Sequence, residues 1–426
     1  MTTPLHRTLD AVWRMESAKI IGALARMLRD VGLAEEFAQD ALVTALEHWP
    51  ISGVPDNPAA WLMTTAKHRA LDHLRRNTLL AHKHVELSHE LDAQHAMRAD
   101  DFNDAVDDAL DNDVGDNLLH LMFTACHPLL SSEARVALTL RLLGGLSSSE
   151  IARAYLMPES AIAQRIVRAK RTLSAAHVPF EVPRADELAA RLSSVLAVIY
   201  LIFNEGYSAT AGDDWMRPSL CDEALRLGRI LAELTPHIAE VHGLVALMEI
   251  QASRTRARVD AQGNPILLLN QNRARWDHLL IQRGLTALAR AEAQGGAYGS
   301  YTLQAAIAAC HARAPTPEQT DWTRIAALYD ALAQIAPSPV VELNRAMALA
   351  MAFGPSAGLA HVDSLANEPT LAHYHLLPSV RGDLLARLGR TDEASAEFQR
   401  AAALTQNARE RALLLARAAT CTQGKL

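Results

Sequence analysis

The 426-residue chain is poor in aromatic side chains, with 7 Phe, 7 Tyr and 6 Trp, and it has only 4 cysteines. Runs of β-branched residues are also few, whereas Ala and Leu fill almost every segment, so a large β-sandwich or barrel is not expected. Cys126, Cys221, Cys310 and Cys421 are isolated from one another, with no C-x-x-C spacing. Neither a disulfide framework nor a cysteine-rich zinc site is expected, and a reducing cytoplasm fits. The longest apolar run, Val195–Phe203, falls short of the ~20 residues that span a bilayer, so no membrane association is expected. The first turn carries His6, Arg7 and Asp10 with no hydrophobic region after it, which argues against a signal or transit peptide. None of the 18 histidines falls in H-E-x-x-H or pairs with cysteine at zinc spacing, and no P-loop, G-x-S-x-G or Rossmann glycine pattern is present. No enzyme, cofactor or metal site is expected. What is present is an ordinary globular composition, 50% hydrophobic and 21% charged, and an all-α fold of several domains is expected.

The net charge of −7 conceals a pattern. Residues 1–85 hold 10 basic and 9 acidic side chains, residues 86–116 hold 1 and 11, and residues 117–178 hold 7 and 3. The remainder, 179–426, is close to neutral, with 23 basic and 25 acidic. Local potential, not the total, governs partner binding. The strip 86–116, rich in aspartate and without a sustained helical period, reads as an extended acidic linker between domains 1–85 and 117–178.

In the first block, Leu33, Phe37, Ala41, Leu42, Ala45, Leu46 and Trp49 recur at three- and four-residue intervals, with Glu35, Glu36, Asp40 and Glu47 on the polar face. Pro50, Gly53, Pro55 and Pro58 predict a loop, with Asp56 and Asn57 as turn residues. A third helix over Trp61–Arg76 has an apolar stripe of Leu62, Ala66, Ala70 and Leu74, with Lys67, His68, Arg69, Arg75 and Arg76 largely off it. A cationic helix face suits phosphate contact. The run W-L-M-T-T-A-K-H-R-A-L-D-H-L-R-R resembles the region of bacterial sigma-70-type factors that binds and melts the −10 promoter element. The upstream A-E-E-F-A-Q-D-A-L-V-T-A-L-E-H-W is similar to the part that docks on the β′ clamp helices of RNA polymerase. The resemblance implies −10 contacts by Asp56, Asn57, Trp61, Lys67, His68, Arg69, Arg75 and Arg76. It implies core-polymerase contacts by Glu36, Asp40, Glu47 and Trp49. His68 departs from the Asn of many relatives, and imidazole does not donate and accept as an amide does.

The second block reads independently as a helix-turn-helix. Ser147-Ser148-Ser149-Glu150 has capping-box form, Ile151, Ala152 and Tyr155 make a short helix, and Leu156-Met157 turns into a last helix opened by Pro158. That helix is expected to bury Ile162, Ile166, Ala169 and Leu173 and to expose Gln164, Arg165, Arg168, Lys170 and Arg171. Glu159, Ser160 and Gln164 would face base edges and the later cations phosphates. The stretch from Leu142 to Leu173 resembles sigma region 4, which reads the −35 element and meets the β flap of the polymerase. Its spacing from the first match is that of extracytoplasmic-function (ECF) sigma factors. In that family the linker passes through polymerase channels, which gives the acidic strip a second reading as a nucleic-acid mimic.

From Pro179 onward the pattern changes. Asn204-Glu205-Gly206 is expected to cap an apolar helix, with Gly206 left-handed. Gly382, Leu385, Ala394, Phe398 and Ala401 share offsets with Ala346, Leu349, Gly358, Val362 and Leu365, displaced by 36 residues, close to the tetratricopeptide period. Ala224, Gly228, Leu231 and Pro236 resemble half of another unit. Residues 179–426 are therefore expected to form a tetratricopeptide-like helical extension that binds a protein or peptide. Arg254, Arg256 and Arg258 read as a solvated helix end in preference to a second anion site. The combined expectation is a cytoplasmic sigma factor that recruits core RNA polymerase to promoter DNA, with a regulatory extension. The alternative is a stand-alone helix-turn-helix regulator with a peptide-sensing repeat domain.

Overall fold

The computed structural model describes residues 4–86 and 114–422. Most of the acidic strip lies outside these residues, and so do both readings of it. Among the described residues there are 18 helices and one pair of two-residue strands, so the chain is all-α. The chain divides into two compact units, Met1–Val198 and Ile199–Leu426.

In the first unit, α1 (Pro4–Leu28), α2 (Val31–Ser52) and α3 (Pro58–Glu86) pack on one another. Asp30 caps α2 by accepting from the Leu33 N–H at 2.9 Å. The buried stripe of α2 is Phe37, Ala38, Ala41, Ala45 and Trp49, and that of α3 is Leu62, Ala66 and Ala70. Alanines on both stripes let the two axes approach, and Phe37 meets the His73 ring of α3 with centroids 5.3 Å apart. The helix α2 continues through Pro50 to Ser52, two residues beyond the expected break. A proline in the last turn forfeits one hydrogen bond, and the helix ends instead at Gly53, whose φ of +84° only glycine adopts readily.

Four further helices follow, α4 (Val114–Ala125), α5 (Ser132–Leu142), α6 (Ser148–Tyr155) and α7 (Glu159–Ala175). Ser131 caps α5, and α4 packs against α1, where Gly22 leaves room for Asn117. The next helix, α8 (Ala185–Tyr207), is long and apolar enough to cross a membrane by length and composition, but its Val195, Val198, Ile202 and Phe203 are buried.

The second unit is an array of helices that pack on near neighbours in sequence. It comprises α9 (Pro218–Leu234), α10 (Ala239–Ala252), α11 (His278–Ala293), α12 (Ser300–Arg313), α13 (Trp322–Ile335), α14 (Pro339–Phe353), α15 (Pro355–Ser364), α16 (Leu376–Arg387), α17 (Thr391–Leu404) and α18 (Ala408–Thr422). Adjacent helices pack together in most of the array, and α10 packs against α12 across α11 in its first half. Such neighbour-to-neighbour packing is the logic of helical repeats. The 36-residue offset corresponds to the hairpins α14–α15 and α16–α17. A Cβ on Gly358 would sit 2.5 Å from that of Ala350, and one on Gly382 would sit 2.9 Å from the Phe398 ring. Small residues at these places are thus required by the closeness of the paired helices. Gly206 has the same role: it lies inside α8, and a Cβ there would reach the Cys221 backbone nitrogen at 2.6 Å, so it serves close approach and is not a left-handed cap. The strands β1 (Ala211–Gly212) and β2 (Gln406–Asn407) pair in parallel and join the start of the array to its end. Fully buried Asn407 reinforces this by donating to the carbonyls of Ala209 and Asp214.

Candidate nucleic-acid interface

The loop between α2 and α3 ends at Asn57, whose side-chain oxygen accepts from the Ala60 N–H at 3.1 Å and so caps α3. Asp56 and Asn57 are exposed. One turn into α3, half-buried Trp61 stands edge-on to Trp49, with ring centroids 5.5 Å apart. Trp49 itself is only 2% exposed. Its expected polymerase contact is corrected accordingly: the indole lies at the phase of the α2 core stripe and supports Trp61 from below.

Along α3, His68, Arg69, Arg75 and Arg76 are exposed and Lys67 is half-buried. Arg69 is already engaged, reaching Asp40 at 3.0 Å and Thr44 at 2.8 Å on α2. Arg75 pairs with Asp72 at 3.7 Å, and Arg76 donates to the Asp72 carbonyl at 3.2 Å. Exposed pairs of this kind hold the cations weakly, at about 0–1 kcal/mol, and exchange readily for phosphate.

The outer face of α2 carries exposed Glu36 and Glu47, whereas Asp40 is half-buried and occupied by Arg69. Between and beyond the glutamates lie apolar side chains that the sequence reading overlooked. Val43 is 51% exposed, Ile51 89% and Val54 41%, and Leu46, placed in the core stripe above, faces outward as well. Their signal was available: Val43 and Leu46 are out of phase with Phe37, Ala41, Ala45 and Trp49.

The helix-turn-helix is built as its sequence directs. Ser147 and Glu150 form a reciprocal capping box on α6. Leu156 turns the chain in the left-handed conformation, at φ +51°. Ile162, Ile166, Ala169 and Leu173 of α7 are buried. Glu159, Ser160, Gln164, Arg168 and Arg171 are exposed, and Arg168 leans on Gln164 at 3.4 Å. Arg165 is half-buried against the Met157 sulfur at 3.5 Å.

Lys170, the remaining residue of this set, is half-buried and not free for DNA. It forms an ion pair with Glu35, a side chain of α2 that is 2% exposed. Arg141 of α5 holds the same carboxylate at 2.5 Å, and Ser174 donates to Asp30 at 2.8 Å. Arg14 of α1 reaches Glu150 at 2.5 Å. One flank of α7 therefore rests on α2, and Leu33, Glu36 and Gln39 share a cleft with Val167, Lys170 and Arg171. The expected polymerase and DNA surfaces adjoin in this arrangement.

Cys126, Cys221, Cys310 and Cys421 are free and buried. Burial pushes the Cys126 thiol up to about 11 and that of Cys221 to about 12, so both stay protonated at neutral pH and are poor nucleophiles. Among the described residues no three His, Cys, Asp or Glu side chains are grouped so as to hold a metal.

Residues 13–79 match the family described as sigma-70 region 2, and residues 120–173 match sigma-70, region 4. Residues 191–292 match DUF6596, a family of unknown function. An uncharacterized protein of Rhizobium meliloti (strain 1021) is 44% identical over 92% of this chain and 91% of its own length. A probable ECF RNA polymerase sigma factor SigI of Mycobacterium tuberculosis is 25% identical over 42% of this chain and 59% of its own. The ECF RNA polymerase sigma factor SigK of Mycobacterium ulcerans is 27% identical over 36% of this chain and 78% of its own. No solved structure matches the chain significantly.

Proposed function

The chain belongs to the sigma-70 family as an RNA polymerase sigma factor of the ECF type, and on that premise we propose how its surfaces divide promoter-specific initiation. Core RNA polymerase and promoter DNA are its partners. The stand-alone regulator reading leaves the match over residues 13–79 without a role. What carries the division of surfaces is one observation: a helix with an exposed cationic edge, α3, precedes a capped helix-turn-helix whose last helix is basic on its open face.

The −10 element meets Asp56 and Asn57, then Trp61, Lys67, His68, Arg69, Arg75 and Arg76. Trp61, braced by Trp49, is a platform on which an unstacked base lies. Base–aromatic stacking contributes about 1–3 kcal/mol per base, which offsets an unstacking cost of similar size. The −35 element is read by Glu159, Ser160 and Gln164 at the start of α7, while Arg165, Arg168 and Arg171 meet phosphates. Lys170 joins them only when released from Glu35. The β′ clamp helices dock on the outer face of α2, on an apolar centre of Val43, Leu46, Ile51 and Val54 flanked by Glu36 and Glu47. The helix-turn-helix domain meets the β flap. Residues 179–426 modulate initiation in the cytoplasm, and their repeats take a protein or peptide.

The docking assignment is tested with the full chain. Burying a Val or Ile side chain contributes about 1.5–3 kcal/mol, and a carboxylate in its place would be desolvated unpaired. Val43→Glu with Ile51→Glu should weaken association with purified core polymerase at least tenfold in a titration, while helicity is retained because both side chains are exposed. Unchanged affinity would remove this face from the interface.

A further inference from the structure

Between α10 and α11 the chain runs through residues 253–277 with short 3-10 turns and one antiparallel bridge, Val259 to Pro265, inside the DUF6596 match. Arg256 is exposed there, but Arg254 and Arg258 are 6% and 8% exposed, which corrects the reading of a solvated helix end. Their surroundings are aromatic. The Arg258 guanidinium carbon lies 3.4 Å from the centre of the Tyr207 ring and 5.8 Å from that of Trp215. Arg254 lies 5.8 Å from both Tyr207 and Trp276, and Arg273 lies 4.9 Å from Trp276. Shared rings thus gather three guanidinium groups into one cluster.

Charge balance sets this cluster apart. Elsewhere in the same unit Arg217, Arg229, Arg345, Arg381 and Arg417 each have a carboxylate partner. Among the described residues Arg254, Arg258 and Arg273 form no ion pair. Exposed Glu318 acts on Arg273 only through its field, and nearby Glu205 is taken by Arg217 and Thr210. Burial and the two neighbouring arginines disfavour the charge on Arg254, and burial with Arg254 and Arg273 holds His311 neutral down to about pH 3. Cation–π contacts offset only part of what burying an unpaired ion costs.

The unused hydrogen-bonding capacity has the same sign. Arg258 donates to the Tyr207 carbonyl at 3.0 Å, and Arg273 to the carbonyls of His311 and Ala314 at 2.5 Å. The Nε groups of Arg254 and Arg273 and the indole N–H of Trp276 are buried without an acceptor. Cations and unpaired donors beside flat apolar rings suit the chemistry of an oxyanion attached to an apolar body, since guanidinium forks bind carboxylate and phosphate in the plane.

We propose that Arg254, Arg258 and Arg273, with Tyr207, Trp215 and Trp276, bind a small ligand that bears a phosphate or carboxylate group on an apolar or aromatic body. The site lies wholly within the second unit, so its occupancy is measured without reference to transcription. The test titrates full-length protein with phenyl phosphate and with benzoate, against sodium chloride at equal ionic strength, and follows tryptophan emission and thermal stability. Saturable changes with either probe are expected, and the tighter probe identifies the anion. Arg254→Gln should weaken that binding at least tenfold, as should Arg273→Gln at a less buried position if the first variant fails to fold. Arg229→Gln, which breaks an ion pair elsewhere, should leave it unchanged. The absence of saturation by both probes into the millimolar range, or undiminished affinity in the arginine variants, would overturn the site.

Discussion

Replacing Glu35 with glutamine is expected to open the first unit. Its carboxylate, 2% exposed, is held by Arg141 at 2.5 Å and by Lys170. Removing one partner of a buried ionic cluster leaves the others desolvated and uncompensated, a loss of about 3–5 kcal/mol where burial is complete. The two cations retain 21% of their side-chain exposure, so about 1–3 kcal/mol is the appropriate range, a shift of roughly five- to 150-fold between closed and open forms. Opening matters because elements named for positions ~25 base pairs apart lie ~85 Å apart along B-form DNA. A compact body of the 168 residues described in this unit has a radius of gyration of only ~15 Å. It cannot touch both elements in the arrangement described. Energy transfer between labels at Ser52→Cys and Gln164→Cys should therefore fall in Glu35→Gln. Replacing the cluster as a whole, by Glu35→Leu with Arg141→Met and Lys170→Met, should restore transfer, since an apolar triad leaves no unpaired charge. Transfer that is unchanged in Glu35→Gln would show that other contacts hold the unit closed.

The second large effect concerns α7. Arg168 and Arg171 are exposed on its open face and carry no carboxylate partner among the described residues. If both meet phosphates, Arg168→Ala with Arg171→Ala reduces the slope of log affinity against log salt by up to ~2 for holoenzyme on promoter DNA. The loss should be nearly uniform across promoters. Gln164→Ala, by contrast, should alter preference at one position by about 1–3 kcal/mol, with the salt slope preserved. A salt slope identical to that of the parent protein would remove both arginines from the phosphate contacts.

Much of the helix-turn-helix was legible because its determinants are local. A capping box, a turn residue and an apolar stripe of period 3.6 are each fixed by neighbours within a few positions, and Ser147, Leu156 and Ile162 behave accordingly. The repeat offsets were legible for a related reason: Gly358 and Gly382 are small because a partner helix lies where a Cβ would go. What escaped the sequence depends on distant pairing. Glu35 looked like any exposed acid on a polar face until Arg141, 106 positions away, closed over it. Trp49 was already in phase with the apolar stripe, and only the family resemblance gave it a polymerase contact that its burial excludes. Gly206 resembled a helix cap, although α9 comes to it and the helix does not end there. The arginines at 254 and 258 looked solvated because the rings that cover them, Tyr207 and Trp276, lie far off in sequence or beyond a loop.

The central claim is that this chain brings core polymerase to particular promoters through residues of α2, α3 and α7. Purified full-length protein added to core enzyme on a genomic promoter library, with transcript starts mapped, tests it most directly. The account predicts a discrete set of starts that share −35 and −10 sequences and are absent with core enzyme alone. It also predicts that the set is lost with Trp61→Ala and Arg168→Ala combined. Starts no different from those of core enzyme alone, under conditions where the protein is folded, would contradict it.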